Sequence, residues 1–211
     1  MQQPTVASTP SSPEKTAKKA FSSVGWSLLL VLLFTNAVFF IITPLFESSG
    51  LWADPVVYLW ALLALNTLLL AIGILLARPV LKYPLPLPFR RPPAFSQLFR
   101  MTGASLCALY LFNLLTNLIL SLFSSLTGYT MVNPLLSIVM FSSPLATFLF
   151  IVVLSPILEE LLFRGFVLAK LCPYGDKIAI LGSALLFALF HCNFFQFFYA
   201  FALGVLLPIL P

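Results

Sequence analysis

The chain has 211 residues, of which 61% are hydrophobic and 8% charged, whereas a soluble domain is about 45–50% apolar and about 25% charged. With a mean hydropathy of +1.07, this excludes an ordinary soluble domain and indicates an all-α, polytopic integral membrane bundle, because lipid cannot satisfy an open backbone. The formal net charge of +5 does not imply nucleic acid: the basic residues stand in short segments between apolar runs, where they set membrane topology.

Residues 1–20, MQQPTVASTPSSPEKTAKKA, are rich in Pro, Ser, Thr and Lys and are expected to form a disordered tail ahead of a membrane domain over 21–211. The first apolar run, Trp26 to Leu45, is longer than a signal-peptide core of about 7–15 residues, and no small-x-small cleavage site follows it. It is expected to be an uncleaved span. Further spans are expected at Val56–Ala77, Met101–Phe123, Ser142–Leu171 and Lys177–Phe198, each meeting the length of about 20 residues needed to cross hydrocarbon. A short apolar piece ending in LLPILP closes the chain, giving about five to six transmembrane helices in all.

Orientation follows from the basic residues. Lys15, Lys18 and Lys19 precede the first span; Arg78, Lys82, Arg90, Arg91 and Arg100 surround the second loop; Lys170 and Lys177 flank the fourth. The first loop holds only Glu47 and Asp54, and the third, Ser124 to Phe141, has no charge. This alternation places the N-terminus and both basic loops in the cytosol. The second loop, RPVLKYPLPLPFRRPP, carries too much proline for a helix and is expected to be a stiff topogenic linker or a segment lying along the anionic leaflet.

The three cysteines, Cys107, Cys172 and Cys192, form an odd, scattered set without CxxC spacing, so they are expected to be small apolar packing residues. The intramembrane ionisable groups are Glu159, Glu160, Arg164 and His191. Such groups normally face a protein interior or a wet cavity. Glu160 and Arg164, four apart, can pair on one helix face, whereas Glu159 is turned about 100° away and is left for another role. Pro156, one turn earlier, removes a backbone donor and can kink the helix. Ser155 lies four residues before Glu159 and is expected to bond a backbone carbonyl near the proline.

Depth brings two of these groups together. Glu159 lies 11 residues from Lys170 and His191 lies 14 residues from Lys177, roughly 17 and 21 Å from the same surface. The short loop Cys172 to Asp176 makes their two helices antiparallel neighbours. A buried carboxylate beside an imidazole is a workable general-base pair for activating water. A Glu–Arg pair that only holds the bundle together, and a lone histidine at an interface, remain open as alternatives, as does a transporter using Glu159 as a proton relay. One histidine and two glutamates make an incomplete zinc set, so no metal is expected. No phosphate loop is present, and no cofactor is expected.

The motifs EELLFR (Glu159 to Arg164) and FALFH (Phe187 to His191) resemble the EExxxR and FxxxH motifs of the CPBP family, which holds CAAX-type prenyl proteases and bacteriocin-processing enzymes, also called the Abi group. The following QFFYAFALG, Gln196 to Gly204, resembles the family's next helix, so the resemblance covers about 142–204. It implies an intramembrane glutamate endopeptidase in which Glu159 activates water, His191 assists, and Glu160 and Arg164 complete the motif, Arg164 by supporting the site's geometry. The implied partners are the bilayer and a peptide or membrane-associated protein substrate. The family also carries a later helix with a second His and an Asn four residues on, and this chain has no second His. The expectation is therefore a C-terminally truncated protease of impaired activity, the alternative being a non-catalytic immunity or scaffold protein derived from the family.

Overall fold

The computed structural model describes residues 13–48, 54–81 and 94–209, and every regular element among them is helical. In chain order these are α1 (Pro13–Ser48), α2 (Pro55–Leu81), α3 (Phe95–Thr127) and α4 (Pro134–Phe141). There follow a long rod α5 (Pro144–Tyr174), then α6 (Asp176–Phe190) and α7 (Phe194–Ile209). Four of them, α1, α2, α3 and α5, are long and apolar enough to cross a membrane. The all-α polytopic membrane class is thereby shown.

Three differences from the sequence expectations have local causes. First, α1 starts at Pro13, so residues 13–20, expected in the tail, are helical. Pro13 presets a helical φ, Glu14 sits in the positive first turn, and Ala17 and Ala20 are strong helix formers. Second, the uncharged loop expected over Ser124–Phe141 contains α4. Asn133 caps it, its side chain accepting from the Leu135 N–H at 3.1 Å, with Pro134 following as first helical residue, a strong start signal. Third, the span expected over Lys177–Phe198 is broken after Phe190. Cys192 takes a left-handed backbone at φ 48°, and the Asn193 side chain accepts from the Phe195 N–H at 3.0 Å to start α7. The proline-rich segment expected to be a linker or leaflet-bound falls largely on residues 82–93, outside those described.

The tightly packed core lies at one end of the bundle. Val24, Leu28 and Val31 of α1 meet Leu70, Ile74 and Ala77 of α2, and both meet Leu162, Phe163, Phe166 and Val167 of α5. The same end carries Lys15, Lys18 and Lys19 of α1, Arg78 of α2, Lys170 of α5 and Lys177 of α6. Gly73 allows α1 and α2 to approach, since a Cβ there would lie 3.2 Å from Val31 Cγ1. Phe163 is fully buried and makes edge-to-face contacts with Phe187 and Phe190 at 5.0 and 5.4 Å, an arrangement aromatic quadrupoles favour. Phe163→Ala is expected to cost about 2–3 kcal/mol: lipid is as apolar as the core, so the cavity term dominates over transfer. Reversible unfolding in mixed micelles measures it.

The helices α6 and α7 form an antiparallel hairpin through facing small residues. Ala184 and Ala188 of α6 and Ala200 of α7 are buried, and Gly204 of α7 is buried too. The spacing is small-xxx-small on both helices, which lets backbones approach where no hydrophobic force drives them together. In turn α3 packs along α7 and presents Tyr110, Leu111, Leu114 and Leu118 outward, a lipid-facing surface.

Candidate active site

The rod α5 is irregular around its acidic pair. Wide, π-type turns run over Thr147–Leu154 and Leu161–Leu168, with an ordinary α turn, Ser155–Glu160, between them. The Ser155 N–H bonds the Phe150 carbonyl five residues back. Pro156 contributes to this, because it has no N–H to give to the regular ladder, and such widened turns recur at functional sites.

The two adjacent carboxylates diverge. Glu160 pairs with Arg164, Oε1 to Nη1 at 3.3 Å, and Arg164 Nη2 also donates to the Leu203 carbonyl of α7 at 3.3 Å. The planar fork of arginine serves both partners at once, tying α5 to α7. Glu159 takes no part in that pair. Its Oε1 accepts a hydrogen bond from Ser155 Oγ at 3.0 Å, so Ser155 bonds the carboxylate and not the backbone carbonyl expected from the sequence. The reason is the spacing: four residues on an α turn stack the two side chains.

His191 ends α6. Its Nδ1 lies 2.9 Å from the Phe187 carbonyl, and its ring meets the Phe187 ring edge-on at 4.8 Å. A carbonyl oxygen only accepts, so Nδ1 carries a proton, and in the neutral ring Nε2 presents a lone pair. Both Glu159 and His191 line one cavity of about 230 Å³. A second cavity of about 240 Å³ also contains Glu159 and Ser155 and adds Thr67 and Gln196. Each has room for several waters. They begin where the core ends, at Leu70 of α2.

The opposite walls bring residues that the sequence reading passed over. Thr35 and Asn36 of α1 and Asn66 of α2 line the first cavity, and Asn66 lines the second as well. Thr35 Oγ1 is buried with no hydrogen-bond partner among the described residues, and Asn36 Nδ2 donates back to the Leu32 carbonyl at 2.8 Å. The available signal was an amide in the middle of an apolar run (LLFTNAVFF, LLALNTLLL), which is costly in lipid without a partner. An amide carries no charge, so it does not stand out as the ionisable groups do. Asn193, by contrast, is occupied in capping α7, and its Nδ2 lies 3.4 Å from Gln196 Oε1. Among the described residues no three His, Cys, Asp or Glu side chains gather as metal ligands.

Fold and site together define a polytopic helical membrane protein with a polar chamber built around one carboxylate and one imidazole. Residues 141–210 match the family model described as type II CAAX prenyl endopeptidase Rce1-like. That segment carries Glu159, Glu160, Arg164 and His191 and is similar to the family that its motifs led us to expect. No curated protein and no solved structure matches the chain.

Proposed function

We propose that the protein is an intramembrane endopeptidase that hydrolyses a peptide bond in a membrane-associated substrate, with a water molecule as nucleophile. The single observation that carries this reading is the cavity shared by Glu159 and His191, within the segment that matches the CAAX prenyl endopeptidase model. The remaining oxygen of Glu159 and Nε2 of His191 each accept one O–H of a water held between them, which leaves a lone pair on the water directed at the substrate carbonyl. Glu159 removes a proton as the C–O bond forms. It then returns that proton to the leaving amine as the C–N bond breaks.

The developing oxyanion needs donors in a water-poor chamber. On the facing wall, the Asn66 amide and the Thr35 hydroxyl are the groups suited to supply them. Arg164 keeps the geometry by holding α5 to α7. By the positive-inside rule the basic end of the bundle faces the cytosol, and the chamber lies deeper in the membrane than that end.

The test is hydrolysis of a peptide ending in a prenylated CAAX-type sequence by the full chain reconstituted in liposomes. His191→Ala is expected to slow the wild-type rate about 10²-fold, the lower end of a general acid–base contribution. Absence of cleavage by the wild type, or an unchanged rate in the variant, overturns the reading.

A further inference from the structure

At the basic end, away from the chamber, a separate cavity of about 290 Å³ opens between α1, α2 and α5. Its volume is close to the lower bound of ligand pockets. Thr16, Lys19 and Ser23 of α1 line it from one helix face, at spacings of three and seven. Lys170 and Tyr174 come from the end of α5, and Val80 from the end of α2. The Tyr174 hydroxyl donates to the Thr16 carbonyl at 3.3 Å, and its ring packs on Phe21 at 5.5 Å, so the α5 wall is fixed to α1. Lys19 and Lys170 are the basic residues that line the cavity, and no Asp or Glu lines it.

We propose that this cavity binds the headgroup of an anionic phospholipid. The position decides among anions. Lys19 and Lys170 stand where the apolar runs of α1 and α5 give way to their basic ends, the level of a lipid phosphate, and the apolar Val80 and Tyr174 walls suit the glycerol and upper acyl chain. A basic pocket between transmembrane helices at the membrane surface is the arrangement that recognises anionic headgroups. The bound lipid joins α1, α2 and α5 at the end where the packed core lies. This proposal does not depend on the peptidase reading.

The experiment is lipid retention by the purified full chain in detergent, measured by native mass spectrometry during titration with phosphatidylglycerol or phosphatidylcholine. The wild type is expected to retain phosphatidylglycerol selectively. The variant Lys19→Gln/Lys170→Gln is expected to bind it about 25-fold more weakly, about fivefold for each lysine, or about 1 kcal/mol per basic group. Lys15→Gln/Lys18→Gln removes the same charge from exposed positions that do not line the cavity and is expected to change binding less than about twofold. The variant Lys19→Arg/Lys170→Arg keeps the charge and is expected to retain binding, which separates charge recognition from misfolding. Equal weakening by the two glutamine pairs means a diffuse surface attraction and overturns the site. Equal retention of phosphatidylcholine, or displacement of the lipid by inorganic phosphate at matched concentration, overturns the lipid assignment.

Discussion

Glu159→Gln is expected to abolish peptide hydrolysis, lowering the rate by about 10²–10⁴-fold, the usual contribution of a positioned proton-transfer group. The substitution is nearly isosteric. Its amide oxygen can still accept the Ser155 hydroxyl, which lies 3.0 Å from the carboxylate in the native site, so the rod and the cavity should persist. What is lost is a group able to take a proton from water. The neighbouring Glu160 is a poor substitute, because it is paired with Arg164 at 3.3 Å and adjacent residues on a helix point about 100° apart. Glu160→Gln therefore serves as the control, expected to alter stability more than chemistry. Cleavage of the prenylated peptide by the reconstituted variants measures both. Parental turnover in Glu159→Gln would remove the base from the mechanism.

Gly204→Leu is expected to produce the largest loss of stability, about 3 kcal/mol, the upper end of overpacking costs. Any Cβ at position 204 would lie 2.8 Å from both Cα and Cβ of Ala184. One of these is a backbone atom, so no rotamer change relieves the contact and α6 must move away from α7. Because His191 ends α6 and α7 holds the Arg164 fork through the Leu203 carbonyl, the displacement should also disturb the chamber. Ala184→Gly in the same chain removes one of the two clashing atoms and is expected to rescue stability only in part. Denaturation in mixed micelles reads the loss, and a midpoint indistinguishable from wild type would mean that the two helices do not approach as closely as Ala184 and Gly204 indicate.

Much of the architecture was legible because lipid imposes a strict rule on sequence. Runs such as Val56–Ala77 have to be helices of spanning length, since a continuous apolar run of that length satisfies its own backbone in hydrocarbon only as a helix, and the residue type scarcely matters beyond being apolar. The acidic pair was legible for the complementary reason: a charge is so costly in that setting that each occurrence demands an explanation. Helical spacing alone separated Glu159 from the Glu160–Arg164 pair, because i, i+4 neighbours meet and adjacent residues diverge. The helix starting at Pro134 was also legible from its Asn133–Pro134 start, but at eight residues it is too short to stand out among the long apolar runs.

The helical membrane class, the long spans and the order of the acid, the arginine and the histidine are thus properties of the sequence, since composition and short-range spacing suffice to fix them. The meeting of α6 and α7 at Ala184 and Gly204 and the chamber wall made by Thr35, Asn36 and Asn66 are decided by the tertiary structure. Each depends on which helix faces which, and at what rotation. An apolar run surrounded by lipid and neighbouring helices leaves that rotation open until side chains distant in sequence come into contact.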